Sequence, residues 1–464
     1  MRLKLLTLAM ALAAAPLTSH SEDLLDAYRQ ARANDPTLAQ ADAQRLGQHE
    51  TVVQNRALLL PQVDASLSLN QTQGAGNRGT PEFNNDGTPV LDGAGAQVVA
   101  PNTGWLRSRN QSLNVSQSVM DFSLYANLKA SRSLDAAQEA SYQASLQQLA
   151  TRTATAYFQV LTNMDALAFS KANEQALARQ LEQAQQRFDV GLSAITDVQD
   201  AKAQHDTSVA SVIVADNTLA DSREALTQIT GQPVGELKKL REDLPMTPPA
   251  PNDPKTWVDT AMHYSPTVAS AQFQVESSEA SINAARAGHL PTINATAGWG
   301  RTSQWAQNGG TDLNSSTGGT NNHPATTVGV TLSIPIFSGG ATQSRVRQAI
   351  FNRDASQDVL EITRRQVTRD TLNFYRSVVA GISQVEATKA AVTSSQSARD
   401  ATQAGFEVGT RTIVDVLIAQ QNLTQALSNY SQSRHQFVLN KLLLKQTAGE
   451  VDIKDLEAVN ALLQ

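Results

Sequence analysis

The sequence contains no cysteine, which excludes disulfides, thiolate metal sites and a lipid anchor on an N-terminal cysteine. No segment after the first residues approaches the roughly 20 consecutive apolar residues that a membrane-spanning helix needs. Lysine and arginine form no run, and the net charge is -6 with a pI near 5.7, so no basic patch attracts a phosphate backbone and nucleic acid is not an expected partner. Aromatic residues make up 5% of the chain, too few to fill a thick core of the usual kind, so a thin wall of helices is expected. The seven histidines are scattered, and no HExxH, GxSxG or P-loop pattern occurs. Neither catalytic residues nor a cofactor or metal is therefore expected, and Gly339-Gly340 after Ser338 reads as a strand-to-helix joint.

A further absence is informative in the positive sense. Between Trp105 and Val190 there is neither glycine nor proline, and the stretch is filled with Ala, Gln, Ser, Leu and Arg. A helix is expected from about Ser123 to Asp189, roughly 100 Å at 1.5 Å per residue. A second should run from about Ala194 to Ile229. Leu146, Leu149, Thr153, Ala156, Val160 and Leu167 follow the 3-then-4 spacing of a coiled-coil seam, interrupted by Asn163. Shorter helices are expected over Asp23–Leu58 and Pro254–Gly288, each notched where Asp35-Pro36 or Ser265-Pro266 supplies a capping residue and a first-turn proline.

The chain carries an internal duplication. Phe188, Val190, Gly191, Ile195, Asp197, Val198 and Ala201 reappear 218 positions later as Phe406, Val408, Gly409, Ile413, Asp415, Val416 and Ala419. Asp35-Pro36 and Pro61 have partners in Ser265-Pro266 and Pro291 at an offset of 230. The expected division is a secretory signal peptide at 1–21, with Arg2 and Lys4 before an apolar stretch. A first repeat over 22–239 follows, then a Pro-rich linker at 240–255, a second repeat over 256–449 and a C-terminal tail at 450–464.

In each copy the period then changes from helical to strand-like. Val63, Ala65, Leu67 and Leu69 alternate with Asp64, Ser66, Ser68 and Asn70. Leu113, Val115 and Val119 alternate with polar neighbours, with Gln117 breaking the apolar side. Ile293 to Gly300 and Val328 to Ile336 continue the pattern. These are four expected strands of about 10 residues, joined by polar loops at Thr72–Arg109 and Thr302–Thr326. Such alternation suits a transmembrane β-barrel, whose outer face meets lipid. Lipid tolerates no unpaired backbone, and four strands cannot close alone, so the chain must oligomerise.

The pairing of VGLSAITDVQDA with VGTRTIVDVLIA, the HLP turn at His289–Pro291, SIPIFSGG at Ser333–Gly340, and the ITG and TAG endings at Gly231 and Gly449 resemble the TolC family of outer-membrane channels. The resemblance covers nearly the whole mature chain. It implies a mainly α fold with a β-barrel portion: a homotrimer whose 12 strands close one barrel in outer-membrane lipid, continuous with a coiled-coil periplasmic tunnel. It implies a Gram-negative outer-membrane exit duct in a tripartite export system, partnered by a periplasmic adaptor protein and an inner-membrane ABC or RND-type transporter.

Residue by residue, the resemblance implies that Asp415 lines the periplasmic entrance constriction. Ile418 stands where close relatives carry a second aspartate, so a trimer would hold one acidic ring. Thr196, Asp197 and Arg411 match closed-state latch positions, with Phe406 where an aromatic hydroxyl is expected; Phe406 cannot hydrogen-bond. Gly191, Leu192, Gly409 and Thr410 match adaptor contacts. Each residue has a plainer reading. Asp415 could cap a helix, Asp197 and Arg411 could be solvated charges, and the glycines could simply end helices. The alternative function is a structural or adhesive coiled coil of the cell surface, without channel activity.

Overall fold

The computed structural model describes residues 22–73, 81–98, 105–307 and 324–464. The expected signal peptide and parts of both strand-connecting loops lie outside these residues. In chain order the elements are α1 (Leu24–Asn34), α2 (Pro36–Ala57), β1 (Gln62–Gln73), β2 (Trp105–Met120), α3 (Phe122–Asp189) and α4 (Ile195–Thr230). They continue with α5 (Pro254–Tyr264), α6 (Pro266–Ala287), β3 (Thr292–Gln307), β4 (Pro324–Ser333), α7 (Ala341–Glu407), α8 (Ile413–Thr447) and α9 (Ile453–Asn460). Two compact units result: a helical one from residues up to Gly47, Ala136–Gln274 and Ser356–Gln464, and a second from Gln48–Asp135 and Val275–Ala355.

The helices follow from their caps. Asp23 accepts the Asp26 N–H at 2.9 Å and opens α1, and Asp35 accepts the Leu38 N–H at 2.8 Å and opens α2. Asp253 does the same for α5, with Pro254 at the first helical position. The expected notches at Asp35 and Ser265 are the breaks between α1 and α2 and between α5 and α6.

In the helical unit the seam of α3 is buried at Leu149, Thr153, Val160 and Leu167, and Leu146 and Ala156 pack beside it. Asn163 stays within this seam because its amide is satisfied: it donates to the Thr218 carbonyl at 3.3 Å and accepts from Gln159 at 3.2 Å. Around this seam lies a core containing Leu24, Tyr157, Leu226, Phe437 and Leu456. The Tyr157 hydroxyl lies 3.1 Å from the Glu22 carbonyl and 3.0 Å from that of Lys238, and burial raises its pKa.

The Pro-rich linker is tied to the C-terminal tail at its start: Lys239 and Gln464 exchange backbone hydrogen bonds at 3.1 and 2.9 Å, Arg241 N–H donates to Leu462 at 2.9 Å, and Leu240 is buried. The C-terminal tail holds α9, whose Leu456 is fully buried in the same core. Both segments carry leucines that stabilise only when removed from water, by about 25 cal/mol per Å².

Two glycines end the second long helices. Gly231 closes α4 at φ 73°, where an added Cβ would sit 2.7 Å from Asn34 Cβ. Gly449 follows α8 at φ 78°, where a Cβ would meet the Tyr264 carbonyl oxygen at 2.3 Å. Each glycine admits the end of a short helix, α1 in one case and α5 in the other.

The second unit contains one antiparallel sheet in the order β1-β2-β3-β4. Its register aligns Val63, Val115, Ala297 and Val328 in one row across all four strands, with Ala65, Leu113, Trp299 and Thr326 in the next. The opposite face carries Ser66 hydrogen-bonded to Ser112 at 2.8 Å and Asn114 donating to Asp64 at 3.1 Å. Strand lengths differ from the expected 10 or so residues: β1, β2 and β3 run for 12, 16 and 16. At the other end β4 stops at Ser333, so Ile334 and Ile336 lie beyond it; Pro335 has no N–H for a ladder. The expected loop after β1 also has structure, because Phe83 bridges Pro89 and Leu91 bridges Gln97. Gln117 is accommodated by donating to the Leu59 carbonyl at 2.7 Å, next to a register shift between Ser118 and Met120.

Candidate functional site

The residues singled out in the sequence lie on the helix-hairpin turns between α3 and α4 and between α7 and α8, and the expected membrane strands form the sheet. Both turns are built alike. After α3, Gly191 adopts φ 75°, its N–H donates to Phe188 at 2.9 Å, and the Leu192 N–H donates to Arg187 at 2.7 Å. After α7, Gly409 adopts φ 80°, its N–H donates to Phe406 at 3.1 Å, and the Thr410 N–H donates to Gly405 at 2.8 Å. This is the Schellman arrangement, so the helix-ending role of both glycines is observed. It leaves apolar side chains outward: Leu192 is 70% exposed, and Val190 and Val408 are similarly bare.

The helices leaving the turns start differently. Ala194 precedes α4 without a side-chain cap, and the Asp197 carboxylate instead accepts the Ser193 hydroxyl. Thr196 is exposed on the same first turn. Before α8, Thr412 and Asp415 form a reciprocal capping box: the Thr412 hydroxyl takes the Asp415 N–H at 3.2 Å, and the Asp415 carboxylate takes the Thr412 N–H at 3.0 Å. The Thr412 backbone N–H and hydroxyl, with a smaller contribution from Arg411, hold the Asp415 carboxyl below the usual carboxylate range.

The expected latch residues are not all brought together within the chain. Among the described residues no ion pair or hydrogen bond joins Asp197 to Arg411. Arg411 is exposed, and its stem lies over Gly405, where an added Cβ would come within 2.8 Å of Arg411 Cγ. Phe406 packs with Leu177, Ile413, Val416 and Leu417, at 7% exposure against 37% for its counterpart Phe188. The Arg187 guanidinium lies over the Phe406 ring, 4.9 Å from its centroid. Farther along, Gln180 donates to Gln403 at 2.9 Å, and Thr424 donates to Asn173 at 3.0 Å, so α3 is tied to α7 and α8 by neutral polar contacts.

Sequence reasoning passed over Arg187, Thr412, Ser193 and Gly405. The Thr412-x-x-Asp415 spacing was a readable capping signal. Arg187 had none, since its partner is remote in sequence.

The sheet has no core of its own. Along β1 and β4 the side chains of both faces are exposed almost throughout, with Val63 at 64% and Val328 at 78%. Among the described strands, β1 and β4 each pair on one side only. In water such a sheet would leave its apolar face and two backbone edges unsatisfied. A sheet with such a face, followed in the chain by helices of 68 and 67 residues, is the arrangement expected of an outer-membrane export channel.

The comparisons agree. The profile of the family described as "Outer membrane efflux protein" matches residues 27–232 and 257–450, and the chain belongs to that family. It is 34% identical to the outer membrane protein TolC of Vibrio cholerae, covering 99% of this chain and 98% of that one. It is also 34% identical to the outer membrane protein TolC of Escherichia coli K12, over 95% of this chain and 85% of that one. The crystal structure of the Campylobacter jejuni CmeC outer membrane channel shares the fold with a TM-score of 0.74 at 16% identity, covering 96% of this chain and 90% of that one. The adhesive coiled-coil alternative has no support from these relatives.

Proposed function

We propose that three copies of this chain close a 12-stranded barrel in the outer membrane, each copy supplying its four strands, and that the helices form the periplasmic conduit of a tripartite export duct. The observation that carries this reading is the sheet with an apolar row across all four strands, the outer strands β1 and β4 bare on both faces and each, among the described strands, paired on one side only. Pairing β1 of one copy with β4 of the next satisfies both edges at once. Within each copy, 22–239 and 256–449 act as two versions of one unit, joined by 240–255 and finished by 450–464.

In this reading the hairpin turns form the periplasmic entrance. Asp415 contributes one acidic ring, and Thr196, Asp197 and Arg411 hold neighbouring turns together in the closed state, with Phe406 as a packing residue. Gly191, Leu192, Gly409 and Thr410 meet a periplasmic adaptor, which links the duct to an inner-membrane ABC or RND-type pump; the exposed Leu192, Val190 and Val408 suit such a contact. The duct passes proteins or small toxic compounds, and no catalytic role is assigned. The decisive measurement is light scattering on detergent-extracted protein together with planar-bilayer recording. Three chains per particle and a conducting pore are expected; a stable, detergent-free monomer in water would overturn the reading.

A further inference from the structure

A cavity of about 420 Å³ lies in the helical unit beneath the Pro-rich segment, bounded among others by Leu244, Pro248, Trp257, Val378, Phe437 and Lys441. Its size falls within the ordinary range of small-molecule sites, about 300–1,000 Å³. The wall is largely hydrocarbon. The Trp257 indole N–H is spent on the Pro251 carbonyl at 2.8 Å, so the tryptophan offers no free donor.

Three ionisable groups line the cavity, and two cancel. Lys445 is paired with Asp455. Lys441 is left with a hydroxyl and a ring: its Nζ donates to Thr247 Oγ1 at 3.1 Å and lies 5.6 Å from the Phe437 ring centroid. Among the described residues it meets no carboxylate. Burial, reinforced by Lys445, pushes its pKa down, the mark of an ammonium short of compensation. A half-buried cation beside apolar walls is stabilised most by an anion that brings its own apolar surface.

We propose that this cavity binds a monoanionic amphiphile, an organic acid whose carboxylate pairs with Lys441 while its hydrocarbon body fills the space against Trp257 and Phe437. One negative charge matches the net charge of the lining. A neutral alcohol of equal length leaves Lys441 unpaired, and a quaternary amine meets repulsion.

The test uses the assembled protein in detergent-free nanodiscs, with Trp105, Trp299 and Trp305 changed to phenylalanine so that emission reports Trp257 alone. 11-Bromoundecanoate should quench this emission saturably, with at least tenfold weaker binding in Lys441→Met and retained binding in Lys441→Arg. 11-Bromoundecanol should bind the unaltered cavity as weakly as the acid binds Lys441→Met. Absence of saturable quenching, equal quenching by acid and alcohol, or unchanged affinity in Lys441→Met overturns the proposal. Methionine keeps the apolar stem, and oligomer size by light scattering shows that the variant has assembled. No current is measured, so this result stands apart from the channel reading.

Discussion

The Arg187 guanidinium rests over the ring of Phe406, 4.9 Å from its centroid, and so ties the end of α3 to the end of α7. These two helix ends carry the two proposed entrance turns. A contact of this kind contributes about 0.5–2 kcal/mol depending on its exposure. Replacing Arg187 with Ala should therefore increase hydrogen exchange in the last turns of α3 and α7, and should raise the conductance of the closed channel in planar bilayers. Unchanged exchange in both turns would remove this contact from the account.

Arg411 offers a second test of closure. It is exposed and, among the described residues, forms no ion pair, acting only weakly on Asp415, so its charge can reach a neighbouring copy. Arg411→Ser should raise closed-channel conductance without altering the oligomer, and an unchanged conductance would show that Arg411 takes no part in closure.

The capping box gives a third. Thr412→Ala removes the hydroxyl that caps α8, at a cost of about 1 kcal/mol to that helix start. The Asp415 carboxyl has a folded pKa below its unfolded one, so its contribution is complete above about pH 4 and is lost as pH falls through the lower folded value. Circular dichroism melts at pH 6 and pH 3 should differ more for the parent than for Asp415→Asn.

A fourth concerns His435, which is buried beside Phe158 and pushed down to about 4, chiefly by burial. The Thr162 hydroxyl donates to Phe158 at 2.8 Å, so the imidazole donates its Nδ1–H to Thr162 Oγ1, also at 2.8 Å. Asp165 favours the charged ring and Arg434 opposes it. Since the unfolded ring takes up its proton near pH 6.5, stability is complete above that value and declines as pH falls toward 4. Melting temperature followed across pH 7 to 4 should drop for the parent and remain flatter for His435→Gln.

Gly449 supplies a fifth, independent of charge. A Cβ there would lie 2.3 Å from the Tyr264 carbonyl oxygen, at a backbone φ of 78° that penalises any side chain. Gly449→Ala should therefore reduce assembled protein sharply in membrane extracts, whereas Gly235→Ala, with nothing within 4 Å, should not.

Much of this was legible from local chemistry. The uninterrupted stretch before Val190 announced α3 to within a residue, because no glycine or proline breaks it. The middles of the strands were readable where one face is apolar. Their outer ends were not: Arg107 and Arg109 give β2 no alternation there, and backbone pairing to β1 and β3 holds those residues in the sheet. The turn glycines were visible as a repeated motif. Arg187 over Phe406 was not, because nothing in the spacing of two residues so far apart reports that helices α3 and α7 end side by side.

The bareness of the sheet also bears on the life of a newly made copy. In the proposed assembly, a copy not yet joined to its neighbours leaves the row from Val63 to Val328 and two open backbone edges facing water, a template for indiscriminate strand addition. Transit across the periplasm must therefore be escorted or brief, and overproduction that outruns the escort should yield aggregates rather than a pool of idle subunits.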